Sequence, residues 1–178
     1  MRHRFIGSFV NELLFERGKQ FGSGWSFGLD SILGDWSIGS IVTLTSGTPQ
    51  HLTVARNPAN VGGGDRPNVV PGVSWKLDDP DPSRCYNKDA FVPNEPFTFG
   101  SAGKNVLVGP GTIGWDFSLY KNIRFGEKYG LQFRGEAFNL PNHPNFNFPN
   151  AQVGNRNFGI ISSARAPRIM QIGLKFVF

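Results

Sequence analysis

Residues 115–125, WDFSLYKNIRF, and residues 131–140, LQFRGEAFNL, together decide the fold. Every second position of the first stretch gives Trp115, Phe117, Leu119, Ile123 and Phe125 on one side, with Asp116, Ser118, Tyr120, Asn122 and Arg124 on the other. Lys121 is the one exception on the apolar side. The second stretch sets Leu131, Phe133, Gly135 and Ala137 against Gln132, Arg134 and Glu136. A period of two is the signature of a β-strand, whose successive side chains point to opposite faces. With the tight GEKYG turn at 126–130 between them, the stretches read as a hairpin with one apolar and one charged face.

The same period recurs outward from this hairpin. In MQIGLKFVF (170–178), Met170, Ile172, Leu174, Phe176 and Phe178 alternate with Gln171, Gly173, Lys175 and Val177. Upstream, WSIGSIVTLTSG sets Trp36, Ile38, Val42 and Leu44 against Ser37, Gly39, Thr43 and Thr45, and near the start Phe5, Gly7 and Phe9 alternate with Arg4, Ile6 and Ser8. Strands are therefore expected at about 3–14, 35–46, 115–125, 130–140 and 168–178, an all-β antiparallel meander of about five strands. FERGKQFGSG reads as a turn-like cluster, and FGLDSIL (27–33) has helical spacing closed by Gly34. Residues 47–114 and 141–167 are rich in Pro, Asn, Gly and Asp and read as long irregular loops.

Two environments accept strands with one apolar face: the core of a sandwich, or the lipid around a transmembrane barrel. In a sandwich the polar face meets water; in a barrel it lines the lumen. Loop lengths separate the two. Long structureless loops count against a compact soluble domain, whereas a very short turn alternating with long segments matches the asymmetry of bacterial barrels. The connection at 16–34 falls on the short-turn side and is longer than that asymmetry expects. The other reading is a soluble or surface-attached β-sandwich that binds carbohydrate or protein through its Trp- and Asn-bearing loops. About five strands cannot close a barrel when the smallest have about eight, so an incomplete barrel, as a fragment or part of an oligomer, is expected.

Composition narrows the function classes. Gly 23 and Pro 13 suit a turn-rich β chain rather than a helical bundle, and no apolar run is long enough for a membrane-spanning helix. The net charge of +5 is spread one or two residues at a time, as at Arg17 with Lys19, Lys121 with Arg124, and Arg165 with Arg168. No basic run tracks a phosphate backbone, so a nucleic-acid partner is not expected. The single Cys85 excludes an internal disulfide, and His3, His51 and His143 lack ligand spacing. Asp78, Asp79 and Asp81 lack the spacing and the glycine of a calcium loop, and VGGGDRP lacks the GK[ST] ending of a phosphate loop. No nucleophile–base grouping stands out, so neither an enzyme nor a cofactor is expected. In a barrel, Gln132, Arg134 and Glu136 face the lumen, where a wet structural network is the plainer role and guidance of a substrate the sharper one. Trp115, Phe117 and Phe125, near the two ends of one strand, fit aromatic girdles at the membrane interfaces or simple core packing. MRHRFIGSF has no apolar stretch of signal-peptide length: taken literally this implies a cytoplasmic protein, and taken with the barrel reading it implies a missing N-terminal portion.

Several stretches together resemble a known family: HRFIGSFVNELLF, LGDWSIGSIVTLTSGTP, GGGDRPN, FGSAGKNVLVGPGTIGWDFSLYKNIRF, LQFRGEAFNLPNHPNF and FGIISSARAPRIMQIGLKFVF. Over nearly the whole chain they are similar to the C-terminal end of TonB-dependent receptors, in particular the Oar-like group with a carboxypeptidase-regulatory-like domain near the N-terminus. The resemblance implies a bacterial outer-membrane barrel of about 22 strands, plugged by an N-terminal domain and passing a large ligand with energy delivered through TonB. It also implies that the barrel assembly machinery reads the final strand, a role falling here to Met170, Ile172, Leu174, Phe176 and Phe178. The implied partners are outer-membrane lipid, the missing N-terminal strands and plug of the same protein, the assembly machinery, and TonB through the missing N-terminal part. The chain departs from the pattern in having no signal peptide, plug or TonB-contacting box.

Overall fold

The computed structural model describes residues 2–15, 20–126 and 128–178. Residues 16–19 of the expected turn cluster and Glu127 of the GEKYG turn lie outside the described residues. Five long strands, β1 (Arg4–Glu12), β2 (Trp36–Thr45), β3 (Thr112–Phe125), β4 (Tyr129–Phe138) and β5 (Ile169–Val177), form one sheet in chain order. The meander is antiparallel. Leu13 N–H, just past β1, donates to Trp36 O at 2.8 Å, and Asn122 N–H in β3 donates to Asp35 O, just before β2, at 3.1 Å. The sheet is open, with β1 and β5 as its edges.

Registers follow from side-chain chemistry and turns. Phe117 stands opposite Ala137, Leu119 opposite Gly135 and Ile123 opposite Leu131; on the next pair Met170 faces Ala137, Leu174 faces Phe133 and Phe176 faces Leu131. These apolar rows continue across three strands, as a pleated sheet with one greasy face requires, and only the row of Phe133 and Leu174 has a charged member, Lys121, on β3. β3 starts at Thr112, three residues ahead of the alternation counted from Trp115, because the Thr45 and Thr112 hydroxyls meet at 2.5 Å and prolong the pairing. Gly126 turns the β3–β4 hairpin at φ +68°, a left-handed conformation that costs glycine least. Gly39 has a different reason: a Cβ there would lie 2.5 Å from Ser118 Oγ on the neighbouring strand.

Helix α1 (Phe27–Leu33) occupies the β1–β2 connection, and its end is closed by Gly34 N–H donating to Asp30 O at 2.8 Å. After β4, the NLPNHPN stretch builds a turn from asparagine chemistry. Asn139 and Asn142 both take positive φ, which asparagine tolerates better than most residues. The Asn139 side chain accepts from His143 N–H and donates to His143 O, both at 3.0 Å. Asn142 Oδ1 then receives Arg168 N–H at 2.9 Å, and the Arg168 guanidinium donates to Leu140 O at 3.3 Å. The turn therefore holds the chain at the point where β5 begins.

The chain divides into two compact units. One is the sheet (Arg4–Leu44, Ile113–His143, Ala166–Phe178), and the other gathers Met1–His3, Thr45–Thr112 and Pro144–Arg165. The long segments expected as loops are irregular in backbone yet share a core of Leu52, Tyr86, Ala90, Phe91, Ala102, Leu107, Val153 and Phe158. Two-residue pairings hold it: Pro49–Gln50 with Leu107–Val108, Thr53–Val54 with Gln152–Val153, and Asn68–Val69 with Phe91–Val92. Tilted and edge-on rings link Trp75, Tyr86, Phe158 and Phe91 at 5.9, 6.4 and 6.2 Å, geometries favoured by the ring quadrupole. Asp65 of GGGDRPN is buried here and accepts Ala59 N–H at 2.6 Å, while Arg66 donates to Ala102 O at 3.0 Å, so both members of that motif serve packing.

Leu107 is fully buried, and Leu107→Ala should cost this unit about 2–5 kcal/mol. Amide hydrogen exchange measures the loss. Thr53 and Ala55, whose N–H groups bond to Ala151 O and Val153 O, should exchange faster in the variant, while amides of the β3–β4 ladder keep their rates.

Candidate functional site

β3, β4 and β5 carry two chemically distinct faces. On the polar one, register forms rows across the strands: Ser118, Glu136 and Gln171; Tyr120, Arg134 and Gly173; Asn122, Gln132 and Lys175. Glu136 is the acceptor for two neighbours, since Tyr120 OH donates to its Oε1 at 3.2 Å and Gln171 Nε2 donates to its Oε2. Gln132 Nε2 donates to Asn122 Oδ1 at 2.8 Å, and Arg134 Nε donates to Gln132 Oε1 at 2.6 Å. The Arg134 guanidinium lies 5.7 Å from the Tyr120 ring centroid, a cation–π distance. Arg124 reaches Asp35 at 3.6 Å, and Asp116 Oδ1 accepts Asn139 N–H at 2.9 Å.

Charge is graded along this face. Near the hairpin turn a concavity of about 370 Å³ is lined by Arg124, Arg134 and Lys175 with Asn122 and Gln132. Toward the other end of β3, Asp116 and Glu136 border a second hollow of about 170 Å³ with Ser118 and Tyr120. The face is thus a wall of fixed donors and acceptors, cationic at one end and anionic at the other, able to hydrogen-bond a polar solute or ordered water along its length.

The opposite face is apolar and open. Leu131, Phe133, Met170, Ile172, Leu174 and Phe176 share it, and Phe176 stacks on Tyr129 and Phe178 at 6.1 and 6.2 Å. Trp115 donates its Nε1–H to the buried Ser40 Oγ at 2.9 Å. The charged exception, Lys121, is withdrawn from solvent: its Nζ donates to Gly34 O and lies 5.5 Å from the Trp36 ring centroid. Trp36 in turn donates its Nε1–H to Ile32 O at 3.0 Å and meets the Phe133 ring edge-on at 6.5 Å. The carbonyl of Gly34, at the end of α1, therefore supplies Lys121 with an acceptor on a mostly apolar face.

Of the residues singled out in the sequence, Gln132, Arg134 and Glu136 come together on one polar face, and Met170, Ile172, Leu174 and Phe176 on one apolar face. Trp115 and Phe125 lie ten residues apart on β3, and Phe117 lies between them. The polar alternation already contained Tyr120, Asn122, Gln171 and Lys175, but their part in the network was not legible, because a hydrogen-bond partner on another strand depends on register. Asp35 carried no periodic signal at all. In the second unit, Asp81 accepts from Ser83 N–H, Ser83 Oγ and Arg84 N–H and so closes its own turn. Among the described residues no group of three or more His, Cys, Asp or Glu side chains is placed to hold a metal ion.

A family model described as an outer membrane beta barrel domain matches residues 1–171. No curated protein and no solved structure matches the chain.

Glu136→Leu removes the acceptor of both Tyr120 and Gln171 and should destabilise the sheet by about 1–3 kcal/mol, whereas Glu136→Gln keeps one acceptor oxygen and should lose less. Urea unfolding midpoints of the two variants in lipid vesicles measure the difference.

Proposed function

We propose, for a chain that belongs to the outer-membrane β-barrel domain family, that it forms one sector of the barrel of a TonB-dependent transporter. The family gives the location, the bacterial outer membrane. In our reading β1–β5 cross the bilayer with their apolar face toward lipid and their polar face toward a passage for a large ligand. The carrying observation is an uncovered apolar face: Met170, Ile172 and Leu174 are 72%, 76% and 68% exposed on the edge strand β5, Trp115 and Phe125 are exposed on β3 inside the sheet, and the other face is hydrogen-bonded and polar. A soluble sandwich would bury such a row, and water-exposed apolar patches of this kind mark an interaction surface. Lipid satisfies it.

Dimensions support the same reading. Ten steps from Trp115 to Phe125 span about 34 Å along the strand, or about 26 Å along the bilayer normal at a tilt of about 40°, close to the height of an apolar band between two aromatic girdles. Trp115, Phe117 and Phe125 are accordingly assigned to the interfaces and their approach. Gln132, Arg134 and Glu136 line the passage. Closure needs further strands pairing with the β1 and β5 edges, because unpaired backbone groups are costly in lipid. By the family resemblance, Met170, Ile172, Leu174, Phe176 and Phe178 are the residues read by the barrel assembly machinery, and TonB acts through a plug domain. The family match supports the barrel; the transporter class rests on the resemblance.

A charge on the lipid face tests the orientation. Leu174→Arg should cost about 2–4 kcal/mol if Leu174 lies near the bilayer midplane, while Lys175→Leu on the passage face should change stability by less than about 1 kcal/mol. Urea unfolding in vesicles reads both, and equal effects would count against the orientation. The transporter class is tested in native cells with an antibody to residues 66–76, RPNVVPGVSWK. After in vivo cross-linking, the outer-membrane protein it recovers should carry TonB. Recovery of the protein from that membrane without TonB would refute the TonB-dependent class and leave the barrel.

A further inference from the structure

The second unit contains a half-open cavity of about 370 Å³ that the passage reading does not use. Trp75, Tyr86, Phe146 and Ile161 supply rings and branched carbons to its wall, and four prolines complete it. A cavity of about 150 Å³ accepts a benzene ring, so this one has room for a ring and its polar head.

The side chains of the wall offer few free hydrogen-bonding groups. Proline has no N–H, and the Tyr86 hydroxyl already donates to Gln50 Oε1 at 3.1 Å. Cys85 directs its S–H to Asp81 O at 3.2 Å, and burial, followed by the Asp81 charge, raises its pKa so that the thiol stays neutral. A sugar placed here would bury hydroxyls without partners, at about 1–3 kcal/mol each. A flat apolar ring meets no such cost.

Charge enters only at the rim, through Lys76 and Asp81, one of each sign and both exposed. The Lys76 ammonium lies 5.6 Å from the Trp75 ring centroid. Asp81 engages Oδ1 with Ser83 and Arg84, and Oδ2 has no hydrogen-bond partner among the described residues. The Ser83 hydroxyl first, then the Ser83 and Arg84 N–H groups, hold the Asp81 carboxyl below its usual range, so it is ionised at neutral pH.

We propose that this cavity binds a small aromatic molecule with a zwitterionic head, the chemistry of an aromatic α-amino acid. The ring lies among Trp75, Phe146 and Ile161, the carboxylate meets Lys76, and the ammonium meets Asp81 Oδ2. This site is independent of whether the barrel is driven by TonB.

Cys85 is the only cysteine of the chain and lines the cavity, so its alkylation reports occupancy. The full chain in detergent micelles is treated with excess iodoacetamide over hours, long enough for the small thiolate fraction of Cys85 to react, with phenylalanine as the probe ligand. At a concentration about four times Kd, phenylalanine should slow alkylation about fivefold, because only the unoccupied fraction reacts. Glycine, which lacks the ring, and N-acetylphenylalanine amide, which lacks the charges, should protect far less. Lys76→Gln should raise the phenylalanine Kd about tenfold, equal to about 1.4 kcal/mol. Saturation-transfer NMR of the phenylalanine ring protons gives a second readout that needs no thiol reactivity, and its signal should vanish in Ile161→Trp, where the new side chain fills the cavity. Absence of both protection and saturation transfer at about 10 mM phenylalanine, well above the Kd of a built site, overturns the proposal. Protection by glycine equal to that by phenylalanine overturns it as well.

Discussion

Cross-strand register is the constraint on which the rest of this protein depends. Side chains alternate with a period of two, so a slip of one residue in β4 against β3 or β5 would carry Phe133 to the polar face and Arg134 to the apolar one. With Ile123, Leu131 and Phe176 in one row and Tyr120, Arg134 and Gly173 in another, each face keeps its character over three strands, Lys121 opposite Phe133 being the exception. The polar network and the continuous apolar surface are two consequences of that one alignment. Neither survives without the other.

Local chemistry at the connections defends the register. The asparagines of NLPNHPN take left-handed backbone conformations that β-branched or bulky residues would resist, and their amides pin His143 and Arg168. The motif is the device that returns the chain for β5. Lys121 is a comparable case. A lysine on an apolar face is costly unless its charge finds partners, and here the Gly34 carbonyl and the Trp36 ring provide them. The short helix before β2 is thereby part of the sheet's electrostatics rather than a decoration of a turn.

The second unit solves a different problem. Chains rich in Pro, Gly and Asn form few long ladders, yet ordering them costs conformational entropy that some burial must offset. Two-residue pairings and a run of aromatic rings from Trp75 to Phe91 supply that burial without extended strands. Buried Asp65 satisfies an N–H of its own neighbourhood, so GGGDRPN is an organiser of packing. The half-open cavity lies within this packing, with an apolar, proline-bearing wall and a charged rim.

Sequence alone determined the strand class, the approximate positions of five strands and the residues that share each face. All of these follow from the local covalent geometry of a pleated chain, legible as alternation in WDFSLYKNIRF, LQFRGEAFNL and MQIGLKFVF. The short helix at FGLDSIL was legible for the same reason, through its own period. Tertiary structure decided the rest: that Glu136 serves both Tyr120 and Gln171, that Asp35 meets Arg124, that Lys121 is sheltered by Trp36, and that segments read as loops share a core around Tyr86 and Phe158. These contacts join residues from 16 positions apart, for Tyr120 and Glu136, to far more, for Asp35 and Arg124. Periodicity is a property of neighbours along the chain, whereas pairing is set by the free energy of bringing distant segments together.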